Sequence, residues 1–129
     1  MIGTSERHWL IVMVAIVAVL SGCEKPLPTI SSPEVVALRT RGEQIVATLQ
    51  RYHSEKGEYP KSLDVLVPDY LTSIPVGSAY TEWSYRVDAY TMRYSLSCLV
   101  TDANRRTRMT LQCWAGRPFE LITMHDSDL

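Results

Sequence analysis

Three cysteines, Cys23, Cys98 and Cys113, carry most of the chemistry that the residue types of this chain allow. A thiol can be acylated, oxidised or bound to a metal, and its surroundings decide which. No cysteine or histidine follows zinc-ligand spacing. His53 stands alone at the border of an apolar helical stripe, and His125 falls close to the C-terminus, so neither has a partner set for metal binding or general-base work. Glu55 and Glu58 flank a helix end and read as solvated. Ser62, Ser84, Ser95 and Ser97 occupy cap or strand positions without a nucleophile-elbow or Ser-Lys context. There is no glycine-rich phosphate loop, and Asp88, Asp102, Asp126 and Asp128 lack the spacing of a calcium loop. The chain is expected to be no enzyme, with no metal and no dissociable cofactor. Arg105, Arg106 and Arg108 form the basic cluster, a candidate contact for lipid headgroups, an acidic partner or a cell-wall polymer.

Cys23 has the most specific setting. It closes Leu20-Ser21-Gly22-Cys23, directly after an apolar run from Trp9 to Leu20. The arrangement resembles a bacterial lipobox, in which the cysteine sulfur receives a diacylglycerol and the leader is cut away before it. Cleavage is then expected between Gly22 and Cys23, where Ser21 and Gly22 suit a narrow peptidase pocket. The new N-terminus would take a further acyl chain such as palmitate. Arg7 and His8 give the leader a weak positive charge, partly offset by Glu6. At ~1.5 Å per helical residue the apolar run reaches only about 18 Å, short of a ~30 Å hydrocarbon core. Its length is that of a signal h-region. Residues 1–22 thus read as a lipoprotein signal peptide. Two or three acyl chains at ~0.8 kcal/mol per buried methylene would hold the mature chain firmly to a bilayer.

Residues 23–129 then suffice for one small domain. A formal net charge of −1 gives no global argument for nucleic acid or for an anionic surface, so no nucleic-acid partner is expected, and 46% hydrophobic with 21% charged residues is an ordinary globular balance. An exported compartment permits Cys98 and Cys113 to oxidise. A bridge between them would close a loop of about 15 residues, worth ~3 kcal/mol in the chain-entropy view.

The elements that must position these residues follow from periodicity. Residues 23–32 read as a lipid anchor and flexible tether, since Pro26, Pro28, Ser31 and Ser32 interrupt any pattern. At ~3.1 Å per residue the tether would hold the domain roughly 25 Å off the membrane. Ser32 as N-cap, Pro33 in the first turn and Glu34 at the positive dipole end predict a long helix ending at Gly57. Val35, Leu38, Gly42, Ile45, Leu49 and Tyr52 form its apolar stripe, with Gly42 admitting a close neighbour. Ser62 can cap a short helical piece carrying Leu63, Leu66 and Val67, ended by Pro68.

From Trp83 the period drops to two. Trp83 to Val87, Tyr90 to Val100 and Arg108 to Cys113 predict three antiparallel strands, with turns at Asp88-Ala89 and Asp102 to Thr107. Phe119 to Met124 supplies a fourth, and 125–129 reads as a frayed tail. Cys98 and Cys113 share the apolar parity, and a four-residue turn over Asn104 to Thr107 would pair them directly in a disulfide. Tyr85 and Tyr94 are expected in the core, Tyr80 and Tyr90 as exposed contacts. The fold class is α+β: a long N-terminal helix packed on a small antiparallel sheet of three to four strands.

This order of parts has a counterpart. Tyr52, Gly57-Glu58-Tyr59-Pro60, Ser62-Leu63, Leu66, Pro68, Tyr70-Leu71 and Ile74-Pro75, after a long helix and before a small sheet, resemble the globular part of type II secretion pseudopilins and type IV pilin-like proteins. The resemblance covers roughly residues 33 to 100 and implies a pilin-like domain over 33–124. Two departures stand out. A lipobox and a polar tether replace the hydrophobic helix with which pilin-like proteins build a filament. Ile74-Pro75-Val76-Gly77 does not continue into the Asp-Pro pattern of major pseudopilins.

The functional expectation is a membrane-anchored, non-catalytic envelope lipoprotein. It would touch the lipid bilayer through acylated Cys23 and bind an envelope protein, within a secretion or pilus-type assembly. The alternative is a lipoprotein inhibitor of a cell-wall hydrolase, with Gly77 to Tyr80 or Asp102 to Thr107 as the protruding loop. In a diderm cell, Glu24 after the anchor resembles sorting signals that favour the outer membrane, with the domain facing the periplasm.

Overall fold

The structure, a computed structural model, describes residues 26–101 and 107–125. The expected signal peptide over 1–22, the expected anchor residue Cys23, and residues 102–106 with Arg105 and Arg106 lie outside the described residues, as does 126–129.

Helix α1 spans Pro33–Lys56. Proline at the first turn needs no hydrogen-bond partner there, and the first helical bond runs from Val36 N–H to Ser32 O at 2.9 Å. The expected Ser32 side-chain cap is not made. Its Oγ accepts instead from Thr29 N–H at 2.7 Å, closing a turn ahead of the helix. Gly57 ends α1 in the left-handed region at φ 78°, donating to His53 O. Val35, Leu38, Gly42, Ile45 and Leu49 are buried along one stripe, as their spacing requires.

A 3₁₀ turn, Leu63–Leu66, follows and tucks Leu63 and Leu66 into the core. Four strands come next: β1 (Ser84–Val87), β2 (Tyr94–Leu99), β3 (Thr107–Trp114) and β4 (Glu120–His125). They form an antiparallel meander in the order β1-β2-β3-β4. The strand thus includes His125, which the sequence pattern had assigned to a tail.

The helix covers one face of this sheet. Toward its N-terminus Val35 and Leu38 pack with Cys98, Val100, Met109 and Leu111. Toward its C-terminus Ile45 and Leu49 pack with Leu63, Leu66, Tyr94, Leu96 and Cys113. Trp83 and Phe119 touch both groups and close over Gly42. A Cβ at position 42 would lie 2.5 Å from Phe119 Cζ and 2.7 Å from Trp83 Cη2. The close approach expected of Gly42 is therefore made by two aromatic rings. These packings define two ends. One holds the helix N-terminus, the end of β2 and the start of β3; the other holds the β1–β2 turn and the segment joining β3 to β4.

Register corrects the expected disulfide. Cys98 lies opposite Leu111, and Cys113 lies opposite Leu96. The two cysteines are diagonal neighbours, at roughly 7 Å between Cβ atoms in such pairs, whereas a disulfide needs about 3.5–4.5 Å. Both thiols are free and buried. The β2–β3 pairing is shifted by two residues from the predicted one, so both side chains keep their face while losing each other as partners.

The first hairpin also differs. Asp88 N–H donates to Arg93 O at 2.8 Å and Met92 N–H to Asp88 O at 2.9 Å, so the turn runs from Asp88 to Arg93. Tyr90 and Met92, predicted on β2, belong to this turn, and Met92 sits at φ 55°.

Candidate functional site

The β1–β2 turn is built by one carboxylate. Asp88 Oδ1 accepts from Tyr90 N–H at 2.9 Å, from Thr91 N–H at 2.7 Å and from Thr91 Oγ1 at 3.0 Å. The Thr91 backbone and side-chain bonds, followed by the Tyr90 bond, hold the Asp88 carboxyl below the usual carboxylate range. Fixed in this way, the turn carries Tyr90 out to 96% exposure.

Beside it lies an open cleft of about 830 Å³, whose lining includes Tyr90, Trp114, Arg86, Arg93 and Arg117. β1 supplies Arg86, which lies opposite Ser95 of β2, which in turn lies opposite Trp114 of β3. Strand alternation sets these three positions on the face of the sheet away from α1. Arg93 ends the turn and Arg117 follows β3, so the meander gathers three guanidinium groups around two aromatic rings. Asp88 and Glu120 also line the cleft. Tyrosine, tryptophan and arginine are the side chains that dominate protein interfaces, because they combine apolar area with directed hydrogen bonds. The arrangement can hold a peptide segment bearing acidic groups. Sequence reasoning picked out Tyr90 but missed Arg86, Arg93, Arg117 and Trp114. The only signal was a pair of arginines flanking a turn.

The residues singled out by type are placed apart. His53 is exposed in the last turn of α1 and stacks on Tyr59 at 4.4 Å between ring centroids. Glu55, expected to be merely solvated, accepts a 2.5 Å hydrogen bond from Tyr70 Oη, which raises the tyrosine pKa. Glu58 is exposed in the loop after α1. Ser62 precedes the 3₁₀ turn and makes no side-chain cap bond, while Ser84, Ser95 and Ser97 lie on the outer sheet face. Arg108 is exposed at the start of β3, paired with Met124. Tyr94 is buried and Tyr85 half-buried, the latter donating to Pro60 O at 2.8 Å. Burial raises the pKa of both phenols.

Cys98 has an unexpected role. Its Sγ accepts from Ser78 N–H at 3.3 Å and its thiol donates to Thr81 O at 3.4 Å. Ser78 Oγ donates to Leu99 O, and Leu99 N–H donates to Thr81 Oγ1 at 3.3 Å. Arg41 reaches over from α1 to Val76 O at 3.0 Å and Gly77 O at 3.1 Å. The segment Gly77 to Tyr80, considered as a protruding loop, is instead strapped to the end of β2. Cys113 sits deeper in the core, where burial pushes its thiol up to about 12.

Residues 26–32 likewise fold back on the domain. Pro28 is buried, and Pro26 and Pro28 line a groove of about 480 Å³ together with Leu38, Tyr80 and Val100. Residues 26–32, expected to belong to a free tether, are therefore packed against the domain. Comparison with protein families, curated proteins and solved structures gives no match.

Proposed function

We propose that the chain is a lipid-anchored envelope protein whose helix-on-sheet domain binds another protein without catalysing a reaction. The observation that carries the binding reading is the cleft at the β1–β2 turn, where a fully presented Tyr90 stands beside Trp114 and three arginines. The anchor reading is supported by Leu20-Ser21-Gly22-Cys23 at the end of its apolar run. The order of a long helix, a turn-rich segment and a small antiparallel sheet is compatible with a pilin-like domain. Without a filament-forming apolar helix after the anchor, such a domain would act as an accessory within a secretion or pilus-type assembly rather than as a polymerising subunit. Outer-membrane placement, facing the periplasm, is the corresponding proposal for a diderm cell.

Two measurements test this. Metabolic labelling with palmitate should mark the chain and lose the mark on Cys23→Ser; an unlabelled chain with residues 1–22 attached would end the anchor reading. Crosslinking in intact envelopes followed by mass spectrometry should recover a protein partner, and Tyr90→Ala with Arg93→Glu should cut that recovery by about tenfold or more, as for loss of an interface anchor. Recovery unchanged by both substitutions would move the binding face elsewhere.

A further inference from the structure

The end of the domain nearest the anchor carries a rim of exposed apolar side chains. Leu27 and Ile30 precede α1, Val36 lies in its first turns, and Val76 and Tyr80 belong to the strapped loop. Val76 is 73% exposed and Tyr80 50%, yet their loop is fixed by Arg41, Ser78 and Thr81. Apolar groups held outward on a braced loop lose hydration only if something covers them. The groove between Pro26, Pro28, Leu38 and Tyr80 opens at the same end.

With Cys23 acylated as proposed, the short stretch of chain before Pro26 limits how far this end can lie from lipid. Only residues 24 and 25 separate Cys23 from Pro26. A fully extended chain covers at most about 3.6 Å per residue, so Pro26 stays within roughly 11 Å of the anchor residue. An acylated cysteine sits where the acyl chains meet the headgroups, and the headgroup layer is itself about 5–8 Å thick on each side. Pro26, and with it Leu27, cannot stand more than a few ångströms clear of the lipid. We propose that this end of the domain is a membrane-docking surface, with Leu27, Ile30, Val76 and Tyr80 seated in the headgroup–acyl boundary of the bilayer. Tyr80 suits that depth because its ring is apolar and its hydroxyl stays wet. Such a seat would hold the domain in one orientation, with the Tyr90 cleft facing away from the membrane at the other end of the sheet.

The inference rests on acylation of Cys23, and the experiment separates the two. Mature acylated protein carrying a nitroxide at Val76→Cys, or at Lys56→Cys near the opposite end, is reconstituted at low density into phosphatidylethanolamine–phosphatidylglycerol vesicles. The buried native thiols leave the introduced site as the reactive one. Acylation is read by intact mass and by flotation with the vesicles. In the floated protein, collisions of a water-soluble nickel complex with the label at 76 should fall about tenfold relative to the label at 56, as for side chains held in the interface. Tyr80→Cys should report the same protection. Flotation with equal nickel access at 76, 80 and 56 would overturn the docking surface and leave the anchor intact. A chain that neither floats nor carries acyl mass would overturn both. Protection that appears only at high protein density would mean a second copy of the chain covers the rim, and would overturn docking to lipid.

Discussion

Burial alone pushes the Cys113 thiol up to about 12, so at neutral pH it is a core side chain and no nucleophile. Its folded pKa lies above the unfolded value of about 8.5. The neutral thiol is thus favoured in the fold, and its contribution is complete below that unfolded value and is lost as pH rises toward the folded one. Native protein at pH 8 should leave Cys98 and Cys113 unreactive toward a disulfide reagent, while urea should release both; a count of none in urea would restore the disulfide. Cys113→Ser should cost about 1–3 kcal/mol, the range for a buried hydroxyl lacking a partner, measured by chemical denaturation. Asp88 has the opposite sign. Its folded pKa is depressed, so its bonds to Tyr90 and Thr91 stabilise the turn above the unfolded carboxylate range and fail as pH falls through the lowered value. Amide exchange at Tyr90 and Thr91 should accelerate on acidification and on Asp88→Ala, with β3 and β4 unaffected.

Among the elements, α1 is decided by the glycine it carries. Gly42→Ala gains up to about 1 kcal/mol of helix propensity, but its Cβ would meet the rings of Phe119 and Trp83, and overpacking costs about 1–3 kcal/mol. Net destabilisation is expected, with partial rescue by Phe119→Leu; a stabilised single variant would show that the rings yield freely. The helix was legible in the sequence because a 3.6-residue stripe, Pro33 and Gly57 all specify the same element. Strand faces were legible for a similar reason, since alternation alone fixes which side chains point inward. Partner residues were not. A shift of two in β2–β3 pairing leaves every side chain on its face, so parity could not distinguish Cys98 opposite Cys113 from Cys98 opposite Leu111. Tyr90 and Met92 were misplaced because alternation happens to continue through a turn that Asp88 organises.

For the whole molecule, the helix-on-sheet class followed from the order of a long amphipathic segment and several alternating ones. The candidate site did not. Arg86, Arg93, Trp114 and Arg117 come from separate stretches, and only hairpin geometry gathers them at one end. Cys98 shows the same limit: its sulfur braces a loop from twenty residues upstream, a contact with no local signature. One structural feature bears on how such a protein is made. Every strand pairs with its neighbour in the chain, so each ladder closes over a short connection and the entropy lost per closure stays small. Were the chain exported unfolded, as the proposed function requires, its sheet would zip hairpin by hairpin on arrival, with the helix left to clamp the finished surface.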